Sequence, residues 1–396
     1  MPVDAAQLEA DIRHLSGLDR PSASPGERAA AEWVAAAFRA AGAEAAIEEE
    51  RAHGGYWWPV GLLNAAGAAA GLASLRGRRW LGAAVAGAAA AAVADDVSGG
   101  GLWFRRLLPQ RPTWNVVAAA GDPAAQETVV LVAHHDAARS GLVFHPGVPA
   151  AIGRRFPGLL EQADTSPPIM WAVFAGPLAV ALGSALGRRG AVRFGTAVAA
   201  GAAATMAQIG SSETVPGAND NVTGVATLLG VARALQAEPV SGVRVLLVST
   251  GSEESFMEGM KGFVERHAPS LSTAHTRVVA VDTVGSPHLH AVECEGMLVH
   301  SDYDAELKDL LSAAAADRGV ELGRGLRFSF ATDALRAMRA GYRAALIASV
   351  NEFKAPANYH WRTDHADNVD YGTVADAVEV CDGLIRRLAR PAPAPA

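Results

Sequence analysis

Short apolar runs alternate with longer segments of helical hydrophobic spacing through most of this chain. Apolar runs bounded by polar turns are typical of strands covered on both faces, and they predict strands at 115–120, 128–133, 243–250, 278–282 and 344–350. A shorter strand is predicted between Phe328 and Phe330, and an edge strand at 43–50. Helical spacing predicts helices at 4–17, 25–41, 222–235, 257–267, 304–317 and 374–388. This alternation predicts an α/β fold, a three-layer αβα domain with a mostly parallel central sheet.

Two parts of the chain break this alternation because they are almost entirely apolar. Tyr56–Leu75 carries no charge, and a second apolar run, Trp80–Ala94, follows a short arginine-rich turn. Ile169–Leu186 and Phe194–Ile209 repeat the design. A helix needs about twenty apolar residues to span a membrane, so we predict two inserted apolar helical hairpins that attach the protein to a membrane, with Ile169–Leu186 as the best single span. The predicted membrane-associated segments are Tyr56–Ala94 and Ile169–Ile209. The alternative is a set of alanine-rich helices packed on one another in a soluble protein.

The hairpins divide the α/β domain into three stretches of sequence. The predicted divisions are 1–55, 112–150 and 210–390 for the discontinuous domain, 56–111 and 151–209 for the two hairpin inserts, and 391–396 for a disordered tail rich in proline and alanine.

Composition narrows the classes of function. The formal net charge is −7 and no basic block is present, which argues against a nucleic-acid-binding surface. Cys294 and Cys381 define neither a disulfide framework nor a cysteine zinc site, and we expect both to be buried as small hydrophobic residues. The N-terminal segment is charged and amphipathic, so it is not expected to be a secretory signal. Arginines are equally numerous at the hairpin tips and on the domain side, so the sequence predicts no membrane orientation.

Polar side chains suited to metal ions follow the predicted strands at their carboxyl ends, where ligands gather in open α/β sheets. Asp220 joins them from the turn VPGANDNVTG, which precedes a predicted helix. A pair of zinc-like ions needs about this many imidazole and carboxylate ligands, with one carboxylate shared. The predicted ligands are His134, Asp220, Glu254, Asp282 and His360.

Each of these residues also has an ordinary explanation. A strand-end histidine is often satisfied within the fold, adjacent glutamates usually form a solvated surface, and Asp220 alone is compatible with an Asx turn. Their combination favours a metal site. Asp136 stands where it can accept a hydrogen bond from the second imidazole nitrogen of His134. After an apolar strand, one of Glu253 and Glu254 can bind metal while the other acts as a general base.

The order of these motifs resembles the co-catalytic di-zinc aminopeptidase family, which includes the bacterial leucyl aminopeptidases and glutamate carboxypeptidase. The motifs that carry the resemblance are His134-x-Asp136, PGANDN around Asp220, Glu253–Glu254, Asp282, Tyr359–His360 and Asp364. The resemblance covers residues 25–50, 114–136 and 213–390.

This resemblance implies two zinc ions per chain, although other divalent metals are possible. The implied ligands are His134 and Asp282 for one ion, Glu254 and His360 for the other, and Asp220 as the bridge. Glu253 is implied as the general base, and Asp136 as the partner of His134. The substrate-binding residues are then expected to include Thr332, Asp333 and Tyr359.

The expected function is hydrolysis of peptide bonds by a zinc-dependent aminopeptidase associated with a membrane. The expected location is the bacterial cell membrane. A carboxypeptidase, a glutaminyl-cyclase-like acyl-transfer enzyme on the same scaffold and a non-catalytic binding relative are the alternatives. A transport role is disfavoured because the apolar helices carry almost no internal polar groups. The family usually joins His134 to Asp220 by a short loop, whereas here the second hairpin intervenes. The hairpins are therefore expected to anchor the domain and partly cover its cleft, with His145 as a candidate rim residue.

Overall fold

A seven-stranded mixed sheet forms the centre of the fold in a computed structural model, which describes residues 3–156, 158, 164–166 and 168–389. The strands of the main sheet are β1 (Glu44–Ala52), β2 (Arg111–Gly121), β3 (Thr128–His134), β4 (Arg244–Thr250), β5 (Thr276–Asp282), β6 (His288–Ala291) and β10 (Arg343–Val350). A second sheet of three very short strands contains β7 (Cys294–Glu295), β8 (Ser301–Asp302) and β9 (Arg327–Phe328).

The strand order of the main sheet is β1-β2-β4-β3-β5-β10-β6. The four central strands, β4, β3, β5 and β10, are parallel to one another. The outer strands β1, β2 and β6 run antiparallel to their neighbours. The prediction of a mostly parallel sheet therefore describes the centre, while the whole sheet is mixed. The carboxyl ends of the parallel strands lie side by side at one edge.

Helices cover both faces of this sheet, which confirms the three-layer architecture. The helices in the described residues are α1 (Ala5–Ser16), α2 (Pro25–Ala40), α3 (Trp57–Leu75), α4 (Arg79–Val97), α5 (Gly147–Arg155), α6 (Trp171–Ala185), α7 (Arg189–Ser211), α8 (Thr223–Ala237), α9 (Glu258–His267), α10 (Ala305–Arg318), α11 (Asp333–Arg339) and α12 (Tyr371–Ala389). Asp4 and Ser24 cap α1 and α2, because their side-chain oxygens accept hydrogen bonds from free backbone N–H groups of the first turn.

The side chains of the central strands alternate between two apolar cores. In β3, Leu131 belongs to the core beneath α1, α2, α8, α10 and α12, whereas Val130 and Val132 belong to the core beneath α9, α11 and the hairpins. This alternation follows from the two-residue period of a strand. Cys294 and Cys381 are both buried, as expected.

The two hairpins pack together as one four-helix bundle formed by α3, α4, α6 and α7. Small residues bring these helices close. A side chain at Gly71 would lie 1.9 Å from Thr196 Oγ1, and one at Gly195 would lie 2.7 Å from the backbone nitrogen of Val180. Gly67 and Gly71 form a GxxxG pair, a motif that is typical of closely packed membrane helices.

Two helices of this bundle, α3 and α4, are long and apolar enough to cross a membrane. Helices buried in soluble proteins can meet the same criterion. The segment Ile169–Leu186, expected to be the best single span, does not meet this criterion. The helix in that segment, α6, is apolar but only 15 residues long, and it contains Pro177.

Several elements were not predicted because their sequence signal is too short. These are the strand β6, the two-residue strands β7 and β8, and the short helices α5 and α11. The expected disordered tail at 391–396 lies outside the described residues.

Candidate metal centre

The site lies where the central parallel strands end. His134 is the last residue of β3 and Asp282 is the last residue of β5. Glu253 and Glu254 follow β4 in a tight turn, and His360 lies in the loop after β10. Asp220 reaches the same point from the segment that precedes α8. The fold thus gathers all five predicted ligands and the predicted base at one edge of the sheet.

Asp220 lies between two histidines. Its Oδ1 is 3.2 Å from His134 Nε2, and its Oδ2 is 3.2 Å from His360 Nε2. Glu254 Oε1 is also 3.2 Å from His360 Nε2, while Asp282 Oδ2 is 3.8 Å from His134 Nε2. His134, Asp220 and Glu254 each offer a ligand atom within 4.8 Å of the other two.

The donor set fits divalent metal ions. Imidazole nitrogens and carboxylate oxygens are the ligands that zinc takes when cysteine is absent. Asp220 Oδ2 and Glu254 Oε1 are buried oxygens that accept no hydrogen bond. Buried polar atoms without a partner are costly, and a cation between the two histidines would satisfy both.

Hydrogen bonds around Asp220 fix its position. The carboxylate of Asp364 accepts hydrogen bonds from the backbone nitrogens of Asn219, at 2.7 Å, and Asp220, at 3.1 Å. The Asn221 side chain accepts from the nitrogen of Thr283 and donates to the carbonyl of Val281 at the end of β5. The peptide bond between Asp220 and Asn221 is cis. The position of the Asp220 carboxylate is therefore fixed by hydrogen bonds of the turn to Asp364 and to the end of β5.

Asp136 links His134 to the loop of the predicted base. His134 Nδ1 lies 3.2 Å from the Asp136 carbonyl oxygen and 3.4 Å from its carboxylate Oδ1. The same carboxylate accepts hydrogen bonds from the backbone nitrogens of Glu253 and Glu254, at 3.0 and 3.2 Å, and from Ser22 Oγ at 2.6 Å. One carboxylate thus orients an imidazole and two glutamates together.

Three buried arginines, which were not predicted to be functional, donate hydrogen bonds to the backbone of the loops that form the site. Arg20 donates to the carbonyls of His135, Pro216 and Gly217, at 2.6 to 2.8 Å, and so ties the end of β3 to the turn that carries Asp220. Burial lowers the pKa of Arg20 to about 10.

The loop after β4 is held by two more arginines. Ser252, Phe256 and Met257 all have positive φ, a conformation that costs free energy in residues other than glycine. Arg105 donates to the Ser255 carbonyl at 2.9 Å, and Arg336 donates to the Phe256 carbonyl at 3.0 Å.

Arg105 also connects this loop to the first hairpin. Its Nε donates to Asp96 Oδ1 at 2.6 Å, and Asp96 lies in the last turn of α4. Arginines in a polar stretch usually lie on the surface, so no local pattern distinguished Arg105 or Arg336. Only the tertiary fold shows that both are buried.

Several buried carboxylates lie close together in the site and shift the pKa values of their neighbours. Burial raises the pKa of Glu253, and the neighbouring carboxylates raise it further while His134 opposes the shift. Burial likewise raises the pKa of Asp282 to about 8. Burial lowers the pKa of His360, but Glu254 and Asp220 outweigh it and bring this pKa to about 10. A buried site with this many carboxylates favours the binding of a cation.

The residues expected near the substrate occupy different positions. Thr332 and Tyr359 line the cleft, and the Tyr359 ring stacks on His360 with the ring centroids 3.9 Å apart. Asp333 instead accepts a hydrogen bond from Thr250 Oγ1 at the end of β4 and is buried behind the site. Asp333 therefore helps to position the carboxyl end of β4, from which Glu253 and Glu254 follow.

Apolar residues from the hairpin regions form one wall of the cleft, a pocket of about 430 Å³. Tyr56 stands at the start of the first hairpin and Ile169 and Met170 at the start of α6. Phe144 packs edge-on against His360, with centroids 4.6 Å apart. The expected rim residue His145 is exposed and lies against Trp361 at 4.8 Å.

Solved structures with the same fold are named as aminopeptidases, a Zn-dependent exopeptidase and glutaminyl cyclases. An aminopeptidase from Aneurinibacillus sp. strain AM-1 is 14% identical and has a TM-score of 0.56, with 98% of this chain and 95% of that chain covered. A Zn-dependent exopeptidase from Parabacteroides distasonis is 12% identical with a TM-score of 0.56 over 99% of both chains. A glutaminyl cyclase from Bacteroides thetaiotaomicron is 14% identical with a TM-score of 0.56, over 97% of this chain and 98% of its own.

None of the curated proteins compared with this chain matches it. At these identities the similar structures establish the fold and leave the activity open. A model of Peptidase family M28 matches residues 203–384, a range that includes Asp220, Glu253, Glu254, Asp282 and His360. Residues 203–384 therefore match Peptidase family M28, and the chain as a whole shares its fold with a Zn-dependent exopeptidase of known structure.

Proposed function

We propose that this protein is a membrane-anchored, zinc-dependent aminopeptidase with two metal ions in its active site. The observation that carries the proposal is the position of Asp220, whose two carboxylate oxygens face His134 and His360 at equal distances of 3.2 Å. A carboxylate placed in this way suits a bridge between two ions. His134 and Asp282 would hold one ion, and Glu254 and His360 the other.

When bound, the ions supply Lewis-acid polarisation of a peptide carbonyl and make a water molecule more acidic. Glu253 takes the proton of the attacking water, because its carboxylate lines the cleft and lies 3.9 Å from His134 Nε2. It then returns this proton to the amine that leaves. Asp136 keeps Glu253 in place through the backbone hydrogen bond described above.

The charge of the cleft favours a substrate with a free amine. The described residues that line the cleft include Glu253, Glu254 and Asp282 but no arginine or lysine. A carboxypeptidase needs a cation that pairs with the terminal carboxylate of its substrate, and no such side chain lies in the described lining of the cleft. This lining supports an aminopeptidase over a carboxypeptidase.

A matched set of peptides tests this proposal. One peptide has a free N-terminus and an amidated C-terminus, the second is N-acetylated with a free C-terminus, and the third begins with glutamine. We expect release of the N-terminal residue from the first peptide and no reaction of the second. Cleavage of the second alone would contradict the proposal, and cyclisation of the third without hydrolysis would favour the glutaminyl-cyclase alternative.

The bundle supports the proposal of a membrane anchor. Its outward side chains are mostly apolar, with many alanines, and the large exposed ones include Leu62, Leu72, Leu81, Leu182 and Phe194. Trp57 and Trp171 begin α3 and α6 at the domain side, and Trp80 lies near the opposite tip. Tryptophan at both ends of an apolar helix bundle is typical of the two membrane interfaces. Flotation with lipid vesicles tests the anchor, and a protein that stays soluble and monomeric without detergent would contradict it.

A further inference from the structure

An exposed apolar patch with two arginines borders the mouth of the cleft. It is formed by residues 142–156, which comprise a short turn and helix α5. Val148 and Ile152 share one face of this helix, and Phe156 follows at its end, with exposed fractions of 56%, 54% and 50%. Leu142 and Val143 extend the patch toward the cleft. We call these residues the rim patch.

The rim patch connects the cleft with the domain-side end of the bundle. Phe144 contacts His360 and Tyr359 at the cleft, with ring centroids 4.6 and 5.7 Å away. The backbone nitrogen of Leu142 donates to Gln208 Oε1 near the end of α7 at 3.0 Å. The patch therefore lies between the metal centre and the place where the helices leave the domain.

The charge of the rim patch favours an anionic surface. Arg154 and Arg155 are exposed in the last turn of α5, beside the apolar face. Trp171, which is 47% exposed, stands at the domain-side end of α6. A short helix with apolar residues on one face and basic residues beside them is typical of helices that lie in the membrane interface.

We propose that the rim patch docks on an anionic lipid bilayer and thereby places the mouth of the cleft at the lipid–water interface. The occupant is a bilayer because the patch is continuous with the apolar bundle, and its arginines complement acidic headgroups. Peptides held at the bilayer by an acyl or apolar segment are then the preferred substrates. This inference rests on the proposed membrane anchor and on the proposed peptidase activity.

Site-specific fluorescence tests the docking. Both native cysteines are buried, so an environment-sensitive dye can be attached at Ile152→Cys, with Asp309→Cys on α10 as the matched control on the opposite face of the sheet. In nanodiscs of phosphatidylcholine and phosphatidylglycerol we expect a blue shift and quenching by spin-labelled lipid at position 152 only. Equal quenching at both positions, or none at 152, would overturn the docking.

Kinetics test the consequence for substrates. Two versions of one peptide are compared, one soluble and one acylated at its C-terminus and bound to anionic vesicles. For the variant V148D/I152D we expect kcat/KM on the acylated peptide to fall about tenfold, because apolar burial is lost. Its kcat/KM on the soluble peptide should stay within about twofold of the parent value.

The outcomes separate the two proposals. Equal losses on both peptides, or no loss on either, would refute interfacial docking while leaving the peptidase activity in place. If the parent protein hydrolyses neither peptide, the proposed function fails, and the fluorescence measurement still decides whether the rim patch contacts lipid. Docking on a protein partner instead of lipid would appear as no quenching at position 152 in nanodiscs.

Discussion

Asp220 joins the two halves of the candidate site, since each of its carboxylate oxygens faces a different imidazole. We predict that Asp220→Ala loses both metal ions, because neither remaining ligand pair holds an ion tightly without the shared carboxylate. Metal analysis of the purified variant checks this, with Asp309→Ala on an exposed helix as the control. Retention of two ions per chain would refute the bridge.

Glu253 is the residue whose chemistry is separable from metal binding. We predict that Glu253→Gln keeps its metal ions but loses turnover by a factor of about 10² to 10⁴, the range typical of general acid–base catalysis. Glutamine keeps the size and the backbone hydrogen bond but carries no proton between water and amine. Metal content and kcat measured on one preparation test this, and unchanged kcat would rule out the base.

Glu27 provides a prediction for pH. Burial raises its pKa to about 8, although Ser252 and Thr113 donate hydrogen bonds to it. The folded state therefore holds a proton that the unfolded state has released, so stability falls as the pH rises from the unfolded value toward 8, by at most about 1.4 kcal/mol per pH unit. Denaturant unfolding of Glu27→Gln should show a flatter pH profile over this range, whereas Glu32→Gln, exposed on the same helix, should not.

Sequence reasoning identified candidate site residues at strand ends, which the fold brings together, and missed the residues that support them from a distance. His134 and Asp282 were predictable because a polar residue that ends an apolar strand is conspicuous. The roles of Arg20, Arg105 and Arg336 were not predictable. Their guanidinium groups donate to backbone carbonyls far away in the sequence, and such contacts produce no local sequence pattern. The carbonyl partners described above lie 80 to 197 positions away, from the pair Arg336–Phe256 to the pair Arg20–Gly217.

At the scale of elements, the loop after β4 is the part most dependent on its neighbours. Three of its non-glycine residues have positive φ, so its shape needs the carbonyl contacts of Arg105 and Arg336. We predict that replacing Arg105 by Met together with Asp96 by Asn lowers kcat about tenfold while metal content and KM change little, since Glu253 is less well positioned.

The double change is used because it removes both members of the Arg105–Asp96 ion pair. Removing one partner of a buried ion pair leaves an uncompensated charge, which costs about 3–5 kcal/mol and unfolds many proteins. The control is Arg106→Met, at the neighbouring exposed position. A fall in metal content that parallels kcat would show a general loss of structure instead of altered positioning.

The elements that hydrophobic periodicity predicted are the long ones. The central strands and the helices longer than about ten residues were found because many residues contribute to each pattern. The strands β6 to β8 contain two to four residues, too few for a period to emerge. The helix α11 was missed because Thr332 and Asp333 were interpreted as site residues, whereas Thr332 also caps this helix.

At the scale of the whole molecule, the metal ions are expected to stabilise the fold as well as the chemistry. Their ligands come from segments separated by up to 226 positions, from His134 to His360. A ligand that binds only the folded state at 100 times its Kd adds about 2.7 kcal/mol. We predict that a chelator lowers Tm by several degrees and that zinc restores it, as measured by calorimetry. An unchanged Tm with complete removal of metal would contradict this.

The sequence also predicted the division into a domain and two inserts, but the spatial relation of the inserts could not be inferred. Hydropathy describes each helix alone, while glycine contacts such as Gly71 with Thr196 decide that two distant hairpins form one bundle. The mixed strand directions of the sheet could not be inferred for the same reason. The antiparallel pairing of β2 with β4 depends on contacts between residues far apart in the sequence.

The ion pair between Arg105 and Asp96 has a consequence for the proposed membrane anchor. It makes the last turn of a transmembrane-length helix a rigid support for the turn that holds Glu253. A helix tilts when the hydrocarbon layer is thinner than its apolar length, and that tilt would be carried into the proton-transfer geometry. Turnover in vesicles should therefore depend on the acyl-chain length of the lipid.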